Sequence, residues 1–127
     1  MIRLLLVLFT LVGFLIFSDP FLVAQVSLGK KDPHARCLVT IKMVRSVFGL
    51  LLKLAGVTVT VKGAENIPED KAVLYVGNHR SYFDILAGYT TVPTLLGFVA
   101  KKEMEKIPLL RTWMVNANCL FLDRKNI

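Results

Sequence analysis

Ala72-Val-Leu-Tyr-Val-Gly-Asn-His-Arg-Ser-Tyr-Phe-Asp-Ile85 carries an apolar run that ends abruptly in the polar cluster Asn78, His79, Arg80 and Ser81. The bulky residues 73–76 suit a buried strand, and Gly77-Asn78 breaks it. Ser81, with Asp84 three residues later and the apolar Ile85 and Leu86 behind it, has the pattern of a helix N-cap. Strand, turn and helix are therefore expected in that order. Asp84 then sits in the first helical turn, where a carboxylate suits the positive helix end and can fold back on the loop carrying His79. An imidazole held on one ring nitrogen by a carboxylate offers the other as a base. That is the orienting logic of a Ser-His-Asp triad without the protein nucleophile, so the proton taken would belong to a substrate hydroxyl. A plainer reading fits the same spacing, with Asp84 as a capping charge and His79 as a polar loop residue.

Around this stretch, 127 residues allow one domain. Hydrophobic residues make up 54% of the chain and its mean hydropathy is +0.58, more than a small interior takes up, which points to lipid contact. Sixteen Lys and Arg against nine Asp and Glu give +7, a balance that suits an anionic membrane surface or nucleic acid. One Trp and three Tyr leave few rings for stacking bases, and the cations are interleaved with aliphatic runs. Membrane lipid is therefore the expected partner and nucleic acid is not. Cys37 and Cys119 have neither metal-ligand nor redox spacing, so reduced, buried thiols in a cytosol-facing domain, with no metal, are expected.

Residues 4–17 are apolar apart from Thr10 and Gly13, with Arg3 in front and Ser18-Asp19-Pro20 behind. The run is shorter than the roughly 20 residues of a spanning helix. Residues 21–26 resume the apolar character, so a helix, a Pro-marked kink and a second short helix are expected as a retained membrane anchor over residues 1–29. A cleaved signal peptide would also begin this way, but no small-x-small site follows Phe17. Lys30-Lys31-Asp32-Pro33 forms a polar hinge. A helix over about residues 34–55, closed by Gly56, places Lys42, Arg45, Ser46, Gly49 and Lys53 on one narrow stripe amid apolar residues. Two placements suit it: in the headgroup region with its cations on phosphates, or packed on its own domain with a solvated basic edge.

Further strands are expected at residues 57–61, 96–100 and 119–122. Helices are expected from Tyr82 to about Thr90 and from Ile107 to about Val115, the latter with Pro108 in its first turn. Strands alternating with helices over residues 56–127 predict an α/β layer architecture, a sheet flanked by helices.

Three segments together resemble the glycerolipid acyltransferases, the family that includes the 1-acyl-glycerol-3-phosphate acyltransferases. Asn78-His-Arg-Ser-Tyr-Phe-Asp84 is similar to the N-H-x-x-x-x-D block of that family. Phe98-Val-Ala-Lys-Lys-Glu103 followed by Ile107-Pro-Leu-Leu110 resembles its next stretch, and Phe121-Leu-Asp-Arg124 its second block, G-x-x-F-[IV]-x-R. The resemblance runs from about Gly56 to Asn126, with Asn118 standing where the second block usually begins with Gly. The family's third block, E-G-T-R, and its Pro-centred fourth lie downstream of the second. Residues 30–127 are accordingly expected to be the N-terminal part of an acyltransferase domain, with about half of that domain missing.

The resemblance implies transfer of a fatty acyl group from acyl-CoA or acyl carrier protein to the sn-2 hydroxyl of 1-acyl-glycerol-3-phosphate, giving phosphatidic acid for phospholipid biosynthesis. His79 would be the general base and Asp84 its orienter. Arg124 would bind the substrate phosphate, and Arg80 is either a second phosphate contact or a loop cation. Asn78 would shape the turn through its own side-chain hydrogen bond, and Lys101, Lys102 or the backbone N–H groups near Gly77 are candidate donors to the oxyanion. Beyond the thioester co-substrate no cofactor is implied. The partners would be lysophosphatidate, anionic phospholipid and acyl carrier protein, at the cytoplasmic face of a bacterial inner membrane. The competing expectation is an inactive chain that only binds anionic membrane lipid.

Overall fold

The computed structural model describes residues 1–123 of the protein. Three helices come first, α1 Ile2–Phe17, α2 Asp19–Lys31 and α3 Pro33–Ala55. After them come α4 Tyr82–Thr91, β1 Val99–Lys101, α5 Pro108–Asn116 and β2 Leu120–Leu122, with short 3-10 turns at Ala64–Asn66 and Lys102–Lys106.

The breaks between helices follow from single residues. Pro20, in the first turn of α2, has no N–H to extend the ladder of α1, and the chain bends by 53° there. Asp32 both ends α2 and caps α3, accepting from the amide of Ala35 at 2.9 Å. Gly56 closes α3 in the left-handed conformation, φ +74°, which costs a residue without Cβ nothing. The expected kinked N-terminal pair and the long third helix are thus present. No helix among the described residues is by itself long and apolar enough to cross a membrane, though α1 and α2 together have the length and composition of a bent span.

The core lies where α3 meets its neighbours. Leu22, Cys37, Ile41, Val44, Tyr89, Leu96, Trp113 and Ala117 are buried together. Trp113 packs between Phe14 and Phe21 at ring-centroid distances of 4.8 and 5.9 Å, and its Nε1 donates to Ser18 Oγ at 3.0 Å. A buried indole N–H needs such an acceptor, and Ser18 supplies it at the bend. Deeper in, Gln25 Oε1 accepts from Thr40 Oγ1 and from Asn116 Nδ2, which joins α2, α3 and α5. The outer side of α1 is different: Leu4, Leu5, Leu8, Phe9, Val12 and Ile16 are exposed.

The basic stripe on α3 divides. Lys42, Ser46 and Lys53 are exposed, whereas Arg45 is half-buried and turned onto α4. Its Nε donates to the carbonyl of Tyr89 at 2.9 Å, and its Nη2 to those of Val92 and, at 2.8 Å, Thr94. These carbonyls lie at and just past the C-terminus of α4, where a cation is favoured. Arg45 is therefore an internal clasp and not a headgroup contact.

The α/β expectation is corrected to a mostly helical fold with a small sheet. β1 and β2 pair in parallel, Val99 opposite Leu120 and Lys101 opposite Leu122, the connection running through α5 as a parallel pair requires. Both are shorter than the runs expected at residues 96–100 and 119–122. Residues 57–61 and 73–76 form no strand among the described residues. Strand propensity reports fit to a half-buried, pleated surface, and a strand exists only beside a partner; these two runs have strand composition and no partner here. At the entry to β2, Asn118 takes φ +56°, a conformation Asn tolerates better than most residues, which explains how it stands where Gly is usual. The carbonyl oxygen of Asn118 lies so close to Gly97 that a Cβ there would be 2.4 Å from it.

Candidate active site

The N-terminus of α4 is built by two side chains. Ser81, extended at φ −150°, accepts the amide of Phe83 on Oγ at 3.2 Å and forms a capping box with Asp84. Asp84 reaches back so that its Oδ2 accepts from the amides of Ser81 at 2.9 Å and Arg80 at 2.8 Å. The same oxygen meets His79 Nδ1 at 3.1 Å. Capping and imidazole contact, alternatives in the sequence, are thus one arrangement. The amides of Ser81 and Arg80, in that order, hold the Asp84 carboxyl below its ordinary value of 3.8; desolvation opposes them, and the imidazole adds a lesser pull downward.

The geometry fixes the ring. A carboxylate only accepts, so Nδ1 carries the proton in the neutral imidazole and Nε2 keeps its lone pair. Among the described residues Nε2 has no hydrogen-bond partner. Both side chains are open to solvent, His79 at 61% and Asp84 at 47% exposure. A hydroxyl brought to Nε2 would meet a base whose conjugate acid has an anion 3.1 Å behind it.

Among the described residues, no side chain of the other expected site residues bonds to this pair. Arg80 takes part through its backbone amide, and its side chain makes no hydrogen bond or ion pair among the described residues. Asn78 is exposed and its side chain makes no hydrogen bond there either, so the expected turn-shaping bond is absent. Lys102 is paired with Asp123 at 3.1 Å, and Lys101 ends β1 exposed. Arg124 lies outside the described residues. Clefts of about 310 and 320 Å³ lie between α2 and α5 and beside α3, and neither is lined by His79 or Asp84. No group of three or more His, Cys, Asp or Glu able to hold a metal occurs among the described residues.

Sequence reasoning missed Arg45 as a clasp on α4. The signal available was weak: an Arg on a helix stripe reads the same whether it faces water or a neighbouring helix end. It also left Cys119 without neighbours, whereas Tyr89 Oη and Cys119 Sγ lie 3.4 Å apart under the sheet, where burial, followed by the nearby thiols, pushes the phenol pKa up.

Comparison with known proteins adds the family. Residues 58–127, more than half of the chain, match the Acyltransferase family. A probable 1-acyl-sn-glycerol-3-phosphate acyltransferase of Mycoplasma pneumoniae is 38% identical over 91 residues, 68% of this chain and 34% of that protein. A 1-acyl-sn-glycerol-3-phosphate acyltransferase of Borreliella burgdorferi is 31% identical over 85 residues, 67% of this chain and 34% of that protein. The chain thus spans about a third of the length of these curated relatives. No solved structure matches it. With the matched region enclosing the His79 and Asp84 pair, the chain belongs to the acyltransferase family.

Proposed function

We propose that this chain carries the base-bearing part of a site that moves a fatty acyl group from a thioester to the sn-2 hydroxyl of 1-acyl-glycerol-3-phosphate, giving phosphatidic acid. The acyl donor is acyl-CoA or acyl carrier protein. The observation that carries this reading is the contact of Nδ1 of His79 with Asp84, which leaves Nε2 for a substrate proton. The acceptor oxygen attacks the thioester carbonyl as Nε2 takes its proton. Asp84 stabilises the imidazolium, the C–S bond breaks, and the thiolate leaves with that proton. No acyl-enzyme is required, because the thioester is already activated and a well-placed base suffices. Arg80, Arg124 and Asn78 are the candidate substrate-binding residues, the two arginines for the phosphate, and Lys101, Lys102 or the backbone N–H groups near Gly77 are the candidate oxyanion donors. Within this reading no cofactor takes part, and the bent α1–α2 pair attaches the protein to the cytoplasmic face of a bacterial membrane.

Transfer of labelled acyl groups to lysophosphatidate by membranes carrying the chain tests this. His79→Ala should lower the rate by about 10²–10⁴-fold, the usual contribution of a positioned base. Asp84→Asn keeps an oxygen for the two amides and removes the charge behind the imidazole, so a loss of on the order of 10²-fold or more is expected. Equal signals from wild type and His79→Ala would reject the catalytic role. A second reading, in which the chain only binds anionic lipid, is favoured by the exposed apolar side of α1 and by the net charge of +7. It predicts vesicle binding with no transfer in any variant.

A further inference from the structure

The cleft of about 320 Å³ beside α3 takes no part in the site described above. Its volume lies at the lower end for small-molecule sites, which run from about 300 to 1,000 Å³. It opens by the C-terminal end of α4, whose carbonyls Arg45 binds, whereas His79 and Asp84 stand at the other end, about 15 Å away along ten residues of helix. Along α3 it is lined by His34, Leu38 and Lys42, which are spaced by four residues and share one face. Pro93, Thr94 and Leu95 line it too, and Arg45 fixes them there, its guanidinium donating to the carbonyls of Val92 and Thr94. That fork is spent on main-chain oxygens, so Lys42 is the cation left to meet a ligand. Glu69, just past the short turn at Ala64–Asn66, adds a carboxylate. Opposite charges thus line one cleft, yet among the described residues neither Lys42 nor Glu69 makes an ion pair or a side-chain hydrogen bond.

We propose that this cleft binds the headgroup of a phospholipid carrying both a phosphate and a primary amine, the phosphate on Lys42, the ammonium on Glu69 and the glycerol end over Leu38 and Leu95. Charge selects the headgroup. A purely anionic one is drawn to Lys42 and repelled by Glu69, and a purely cationic one the reverse; a zwitterion meets both without bringing the two side chains together. Apolar surface selects the source. Leu38 and Leu95 are each 38% exposed, and a free phosphoamine has nothing to lay over them. Position agrees with a lipid: α2 ends at Lys31, three residues before His34, so on the membrane attachment proposed above the cleft begins where the chain leaves the bilayer, at headgroup depth. That siting rests on the proposed attachment, whereas the pairing of charges does not.

The test titrates the 127-residue chain, in a maltoside detergent, with the short-chain lipid dihexanoylphosphatidylethanolamine and follows the His34 ring and the amides of Thr94 and Leu95 by NMR. Saturable shifts are expected at all three. Dihexanoylphosphatidylglycerol, which has the phosphate and no amine, should bind at least about threefold more weakly, the scale of one part-exposed ion pair. Glu69→Gln should remove that preference, and Lys42→Gln should weaken both lipids by about threefold or more. Both side chains are exposed, so the helical circular dichroism of each variant should match wild type. No saturable shift with the ethanolamine lipid, equal binding of the two lipids by wild type, or an undiminished preference in Glu69→Gln would overturn the proposal. So would free phosphoethanolamine bound as tightly as its lipid, a result that would assign the cleft to a soluble phosphoamine. The readout involves no acyl transfer, so it stands or falls separately from the role of His79. His79→Ala should bind both lipids as wild type does, with His34 then the sole histidine signal.

Discussion

Replacing Arg45 by Met should loosen α4 from the helical core. The guanidinium makes three hydrogen bonds to main-chain carbonyls that have no helical partner of their own. A hydrogen bond to a charged group contributes about 1.5–3 kcal/mol, and an acceptor left unpaired when half-buried costs part of that again. Set against this is the recovered hydration of a half-buried cation, and bonds sharing one donor group do not add. A net loss of about 2–4 kcal/mol follows, which for a chain of this length is a fall of roughly 5–15 °C in the unfolding midpoint. Met keeps the aliphatic stem in place, so the loss reports the bonds and not the packing. Arg45→Lys, with a point charge in place of a fork, should recover less than half. Urea unfolding in mild detergent followed by circular dichroism measures the size of the effect, and amide exchange at residues 89–94 its location. A change within 0.5 kcal/mol for Arg45→Met, the range of an ordinary surface substitution, would show that the clasp contributes nothing.

Acid should fray α4 from its N-terminus. The Asp84 carboxyl lies below its ordinary value of 3.8 in the folded chain, so the stability it contributes is complete above that value and disappears as pH falls through the lower, folded one. Amide exchange at residues 81–84 between pH 5 and pH 2 should show this, and Asp84→Asn should remove the dependence; identical pH profiles for the two proteins would refute the assignment. Gly97→Ala should destabilise by about 1–3 kcal/mol, because its Cβ would press on a main-chain oxygen that cannot swing aside. Asn118→Val, a β-branched residue at φ +56°, should cost about 1–3 kcal/mol, whereas Asn118→Gly should lose little beyond the hydrogen bond to Cys37. Thermal unfolding of the three variants checks both statements; midpoints within 1 °C of wild type for Gly97→Ala or Asn118→Val, or an Asn118→Gly midpoint as low as that of Asn118→Val, would count against them.

The helices were legible in the sequence because their ends are written locally. Pro20, Asp32-Pro33, Gly56 and Ser81-x-x-Asp84 each terminate or start a helix by chemistry confined to a few neighbouring residues. The pairing of His79 with Asp84 was legible for the same reason, both lying within one turn of the same helix end. The sheet was legible only in part, because a strand is a relation between distant segments: the runs expected at residues 96–100 and 119–122 overlap β1 and β2, whereas residues 57–61 and 73–76 have the composition and lack the neighbour. Arg45 was misjudged for a related reason, since its partners lie more than forty positions away and only the fold brings them together. The expected phosphate and oxyanion contacts, spread over Arg80, Lys101, Lys102 and Arg124, depend in the same way on tertiary placement.

The bond from Trp113 to Ser18 ties the beginning of the described chain to its far end. A ribosome adding roughly 5–20 residues each second needs several seconds to pass from one to the other. During that delay the first two helices are complete and the serine at their bend has no indole, nor has Gln25 the amide of Asn116. The nascent N-terminus therefore spends its first seconds with its inner and outer surfaces both uncovered, and whatever meets it then competes with α5 for the same ground.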